Sequence, residues 1–184
     1  MEKTIENIRY SNYYFDHTYC VVLAWIEIRE LLLEKKLVTE DEIIKINNLI
    51  AWHDNSKISE EEFDGYRRKF FPGPEDTDYE LIKSDFKKAW EHHKQNNLHH
   101  HQTLKDYKGN DWKCYVIDLL CDWIAMGWQH NNSAYEYYMD NKESIVLPEE
   151  YKIFLEEVLN CLNDYYKEVF CTPSKERMRD VFPY

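Results

Sequence analysis

Glycine and proline are scarce in this chain of 184 residues, with four of the first and five of the second. Both interrupt regular structure, so their rarity argues against a loop-rich fold and favours long helices joined by short connections. No stretch keeps up the apolar–polar alternation of a half-buried strand, and there is no internal repeat or low-complexity segment. The longest apolar run, YCVVLAWI from Tyr19 to Ile26, falls far short of the ~20 residues that span a bilayer. The acidic, polar opening MEKTIENIRYSNYYFDH does not read as a secretory signal. Cations are in deficit, 23 Lys and Arg against 35 Asp and Glu, for a net charge of −12. Such a field repels phosphates, which argues against nucleic-acid polymers and anionic membranes as partners. The five cysteines, Cys20, Cys114, Cys121, Cys161 and Cys171, are odd in number and show no CxxC spacing. Free thiols in a reducing compartment, and hence a cytoplasmic protein, are the expectation.

What is abundant is apolar and aromatic mass. Hydrophobic residues make up 43% and aromatics 16%, enough for one sizeable core despite 32% charged residues. The periodicity predicts an all-α, compact single domain over residues 1–184, a bundle of about six to eight helices. The first helix covers about Glu2 to Lys36, with the stripe His17, Val21, Ala24, Ile28 and Leu31 on one face. A second begins at Thr39, which forms a capping box with Glu42 and buries Ile43, Ile46 and Ile50. A third is expected from Ser59, with Glu62 as its box partner. PGPEDTD, Pro72 to Asp78, reads as a loop. Further helices are expected from Tyr79 to about Asn97, from Trp112 to about Gln129, and along LPEEYKIFLEEVLNCLNDYYKEVF with Pro148 in the first turn. A short last helix is expected near TPSKER.

Several polar residues stand where apolar stripes begin or end. His53 and Asp54 close the buried line Ile43, Ile46, Ile50, and His17 opens the stripe of the first helix. Phe86, Ala89 and Trp90 lead to an inward His93, whereas His92 continues the solvated line Asp85, Lys88. Asp118 and Asp122 share a face with Cys114, Cys121 and Ala125, where a carboxylate is costly unless paired or bound to a cation. Taken singly, each has an ordinary explanation: a satisfied core histidine, an aspartate in a DNS turn, a wet end at His99, His100 and His101. Four helices pointing His or Asp inward together suggest one shared metal site, because divalent metals take imidazole and carboxylate ligands from rigid elements.

The order His17, His53-Asp54, His93, His99/His100, Asp122 resembles the HD superfamily of metal-dependent phosphohydrolases, whose pattern is an early His, a His-Asp doublet and a late Asp. HDNSK is similar to the HDxGK form of cyclic-dinucleotide phosphodiesterases and of di-iron oxygenases with this fold, with Ser56 in place of glycine. HDNSKISEEEFDGY, AWEHHKQNNLHHH and LLCDWIAMG, between His53 and Gly127, look closest to an uncharacterised HD-like family of bacteria and their phages, with blocks HDxSK, HHxxxNxHH and CDW. A phage origin would place the protein in the host cytoplasm. The resemblance implies an HD-like fold with one or two divalent ions, whether Fe, Mn, Mg, Zn or Co. It implies that His17, His53, Asp54 and Asp122 ligate one metal, that His93 and His100 hold a second, and that Asp54 bridges them. Helical phase favours His100 over His99 if the helix continues, and the CDW block alone favours Asp122 over Asp118. Asn97 would orient a ligand histidine. Asp54 and Lys57 would be the catalytic pair, Lys57 meeting a substrate phosphate as a point charge; a solvated lysine at a helix end is the plain alternative.

The implied activity is hydrolysis of a small, nucleotide-like phosphate ester by a metal-activated water. Arg67, Arg68, Lys87, Lys88 and Lys94 flank the motifs as phosphate contacts or as ordinary surface charge. The same ligands would suit a di-iron oxygenase. A third possibility is a non-catalytic ligand- or protein-binding protein with a structural metal, its contact surface the tyrosine-rich YSNYYFDHTY, Tyr10 to Tyr19.

Overall fold

The computed structural model describes residues 4–169, with the backbone alone for 166–169. The segment expected to form a last helix near TPSKER lies outside the described residues. Among the described residues all regular structure is helical. The chain runs α1 (Ile5–Glu34), α2 (Glu40–Ala51), a 3-10 turn (Asn55–Ile58), α3 (Phe63–Phe70), α4 (Tyr79–Asn96), α5 (His101–Leu104), α6 (Trp112–His130), α7 (Ala134–Asn141) and α8 (Glu149–Val169).

The ends follow local chemistry. Thr4 caps α1 by accepting from the Asn7 amide. The Thr39–Glu42 capping box starts α2 as expected. Pro148 stands just before α8, its carbonyl accepting from Tyr151 and Lys152, rather than inside the first turn. The box expected at Ser59 and Glu62 does not form: α3 begins at Phe63, and Glu62 spends its carboxylate elsewhere. Two short helices escape the periodicity reading. Four-residue α5 is too brief to show a period, while α7 is announced by a Ser133–Glu136 capping box.

Helix α6 is the central element and packs against α1, α2, α7 and α8. Its buried run from Val116 to Cys121 leaves almost no side solvated, as a helix enclosed by others requires. Across from it, α1 contributes Cys20, Val21, Ala24, Trp25, Ile28 and Leu32 to the main core. Buried Trp25 keeps its indole N–H satisfied by donating 2.7 Å to Asn47 Oδ1.

Helices α3 and α4 pack together, and with Tyr10 of α1 they enclose a second, smaller core around Tyr10, Tyr66 and Ala89. They touch closely at Gly65, where a Cβ would lie 2.6 Å from Ala89 Cβ and 2.9 Å from the Asp85 carbonyl oxygen. The intervening loop is tied by Asp76, whose buried carboxylate accepts from Arg67, from Arg68 Nε at 2.8 Å and from the Gly73 amide at 2.8 Å. Arg67 and Arg68 are thereby committed to holding the loop, not free to meet a phosphate. No helix among the described residues is long and apolar enough to cross a membrane.

Candidate metal centre

Helix α2 ends at Ala51, and the chain then reverses through Asp54, whose φ of 57° is left-handed. Adjacent side chains on one helix diverge by about a quarter turn or more. The reversal frees His53 and Asp54 from that limit, and both are buried, at 4% and 1% exposure. Aspartate and asparagine tolerate the left-handed region better than most residues, so the backbone itself favours this residue type.

Around Asp54 the side chains divide into two sets. Its Oδ2 lies 3.5 Å from His17 Nε2 and 3.5 Å from His53 Nε2. Its Oδ1 lies 3.1 Å from His93 Nε2 and 3.5 Å from His99 Nε2. Asp122 Oδ1 joins the first set, 3.2 Å from His17 Nε2, and His100 joins the second, its Nε2 2.8 Å from that of His93. Donor atoms of His17, His53 and Asp122 all fall within 4.8 Å of one another, as do those of Asp54, His93, His99 and His100.

Both groups suit a metal ion by a specific sign. Asp54 Oδ1, His53 Nε2 and His99 Nε2 are buried and make no hydrogen bond. Orphaned buried polar atoms are costly. Here they converge on one space instead of scattering, which is what a cation would satisfy. Metal-ligating histidines need their other nitrogen held. His53 Nδ1 lies 2.9 Å from Asp118 Oδ1 and His93 Nδ1 lies 2.8 Å from Glu62 Oε2, so the N–H of each faces a carboxylate and Nε2 faces the centre. His99 Nδ1 approaches the other Asp118 oxygen at 3.4 Å, and its ring lies 4.3 Å from that of His53, nearly parallel.

Charge is concentrated accordingly. Burial acts to deprotonate His53, but Asp54 and then Asp118 outweigh it and push it up to about 9. Burial acts likewise on His17 and His93, and is outweighed by the nearby carboxylates of Asp122 and Asp54 at the first and of Asp54 and Glu62 at the second. His100 goes the other way: burial, reinforced by neighbouring His99, drives it well below the usual imidazole range. Burial works to protonate Asp54, yet Lys57 and His53 hold it far below the ordinary carboxylate range. Asp118 and Asp122 are held low in the same way, the first chiefly by His99 and His53, the second by His17.

Lys57 sits in the 3-10 turn with its ammonium on Asp54 Oδ2 and above the Tyr66 ring, 5.4 Å from the centroid. Its side chain is 16% exposed, as is that of Asp122, whereas those of His17, His53, Asp54, His93 and His99 are at most 3% exposed. The centre therefore meets solvent beside Lys57 and Asp122.

All six residues expected as ligands are thus brought together, and so are His99 and Asp118. The ground for choosing His100 over His99 does not survive. Helix α4 stops at Asn96, and Asn97 turns extended and donates its side-chain N–H to the His93 carbonyl at 2.9 Å and to Ser56 Oγ at 2.7 Å. Both following histidines then fold back into the centre. Ser56, where glycine stands in the related motif, lies 3.2 Å from His93 Nδ1. Asp118 faces the Nδ1 edges of two histidines, and Asp122 faces Nε2 of His17. His92, expected to be solvated, is about one-third exposed and lies 2.7 Å from Glu62 Oε1. Glu62 itself is fully buried and holds two imidazoles rather than capping α3; in the sequence it follows two other glutamates, and nothing local marks it apart from them. Lys87 and Lys88 are exposed on α4, and Lys94 pairs with Glu91, so none lines the centre.

No curated protein and no solved structure matches the chain. The model of a family of unknown function, DUF5662, matches residues 6–161, and the chain belongs to that family.

Proposed function

We propose that this protein is an HD-type metal-dependent phosphohydrolase acting on a small phosphate ester, nucleotide-like in size. The observation that carries the reading is the way Asp54 divides its carboxylate, one oxygen toward His17 and His53 and the other toward His93 and His99. A carboxylate so placed can serve two ions at once. His17, His53, Asp54 and Asp122 would hold one ion, and Asp54, His93, His99 and His100 the other. Five imidazoles against two carboxylates suit iron, manganese, cobalt or zinc better than magnesium, which prefers oxygen. Bound ions of this kind lower the pKa of a coordinated water from ~15.7 towards ~7 and so supply hydroxide at neutral pH.

The chain's own part is to hold, orient and receive. Asp118 and Glu62 keep Nε2 of their histidines aimed inward. Lys57, at the solvent edge, can swing from Asp54 to a phosphate oxygen without leaving its turn, as a compact point charge. Asp122, ionised and at the same edge, can take the proton given up by the attacking water and return it to the leaving oxygen. The restricted opening beside Lys57 favours a small substrate over a polymer, in line with the net charge of −12.

The test is metal analysis of protein purified with Mn or Fe, followed by turnover of a panel of nucleoside monophosphates, cyclic dinucleotides and simple phosphate esters. Metal-dependent phosphate release that is lost in Lys57→Met with metal content unchanged is the expected result. Protein that takes up no metal would sink the proposal. The nitrogen-rich ligand set also favours a second reading, a di-iron oxygenase. An iron-loaded sample with a mixed-valent paramagnetic signal and no phosphate release would select it.

A further inference from the structure

Two buried carboxylates stand behind the centre, and they are not equivalent. Glu62, fully buried, holds His93 Nδ1 on Oε2 at 2.8 Å and His92 Nδ1 on Oε1 at 2.7 Å. Among the described residues, the histidine of the centre that it holds is His93, which belongs to the second set of donors. Asp118, 3% exposed, lies 2.9 Å from His53 Nδ1 with one oxygen and 3.4 Å from His99 Nδ1 with the other. It therefore reaches one histidine of each set. Neither carboxylate needs to touch an ion in order to govern it, because each fixes the tautomer and ring angle of the imidazole that does.

Resting on the two-ion reading above, we propose that Glu62 and Asp118 are positioning residues that control the two halves of the centre unequally. Glu62 sets the affinity of the His93–His99–His100 half alone. Asp118 sets the affinity of both halves, and so ties them together. Asp118 on this view is not itself a ligand, although it lies close enough to His53 and His99 to be counted with them. Glu62 also links the buried His93 to His92 at the surface, yet His92 carries no share of the metal affinity, because it meets Oε1 and not the oxygen that holds His93.

The test is titration of metal-free full-length protein with Mn(II), followed by calorimetry and by electron paramagnetic resonance. Wild type is expected to take up two ions with the signature of a magnetically coupled pair. Glu62→Gln keeps the shape and removes the charge. It should retain the first ion at wild-type affinity and bind the second about 10–100-fold more weakly, the usual loss for such a partner, with the pair signal giving way to that of an isolated ion. Asp118→Asn should weaken both steps. His92→Ala should leave both unchanged. Should Glu62→Gln fail to fold, Glu62→Asp, one methylene short of His93, carries the same expectation. A Glu62 variant with a wild-type isotherm, or one that loses both ions equally, would overturn this inference and leave the proposed function standing. A wild type that takes up no manganese overturns both, and one that takes up a single ion removes the two halves on which this inference rests.

Discussion

Replacing Asp54 with asparagine gives the sharpest test of how the centre is held together. Asparagine keeps the side-chain shape and accepts the φ of 57° at this position, so the backbone strain that alanine would add is avoided. What is lost is the negative charge at the middle of a cluster that contains Lys57 and four buried histidines. Removing one partner of a buried ion pair costs about 3–5 kcal/mol. Lys57 can recover some solvent through its 16% exposed side chain, which puts the cost near the lower figure, about 3 kcal/mol. For a chain of this size each kcal/mol moves Tm by about 2–4 °C, so metal-free Asp54→Asn should melt roughly 6–12 °C below metal-free wild type. Lys57→Met should cost less, because Asp54 keeps its histidines. Adding Mn(II) at about one hundred times its Kd should stabilise wild type by about 2.7 kcal/mol, or some 5–11 °C, and should not move the variant. Scanning calorimetry with and without metal reads all of these. An Asp54→Asn protein that melts within about 2 °C of wild type, or that still responds to manganese in full, would refute the view of Asp54 as both the charge balance and the shared ligand.

Other expectations follow from the same contacts. His53, raised to about 9, carries a proton at pH 7.5 in the metal-free protein and must lose it to coordinate; metal loading should therefore release at least one proton, seen with a pH-indicator dye. Because its folded pKa lies above the unfolded value of about 6.5, the stability this group adds is complete below that pH and fades as pH rises through 9. The Tm of metal-free protein should fall across that window, while metal-loaded protein, whose imidazoles are neutral, should not follow it. Gly65→Ala forces a Cβ to 2.6 Å from Ala89 and 2.9 Å from the Asp85 backbone, and should cost about 1–3 kcal/mol in urea denaturation without altering metal content. Leu120→Ala, in the enclosed face of α6, should cost about 2–5 kcal/mol by the same assay.

The helices were legible because their buried faces are long. Ile46 and Ile50 in α2, and Val21, Ala24 and Ile28 in α1, repeat often enough to fix both period and direction. Helical phase also picked out His17, His93, Asp118 and Asp122, which continue apolar stripes inside α1, α4 and α6; it pointed His53 and Asp54 inward as well, although α2 ends at Ala51 and the reversal after it is what turns them to the centre. Legibility ended where the chain leaves the helix. The bend at Asn97 cannot be read from residues that would also extend α4, so the relation between His93 and the later histidines was beyond phase. Glu62 was hidden by a competing local meaning: Ser59-x-x-Glu62 is a capping box by pattern, and only the approach of α4 from the other side gives its carboxylate two imidazoles instead. The difference between Asp118 and Asp122 was likewise invisible along one helix, because they share a face and part company only through what stands opposite.

The buried thiols have a use outside chemistry at the centre. Cys20, Cys114 and Cys121 are fully enclosed, and burial pushes Cys121 far from its thiolate form. Cys121 lies one residue from Asp122 on the same helix, and Cys20 lies one turn from His17. An alkylating reagent can therefore reach them only when the helices packed around the main core part. The rate at which they are labelled is a clock for opening of the helices that carry the centre. Run with and without metal, it would time how firmly an ion closes the fold, in a sample too small or too dilute for calorimetry.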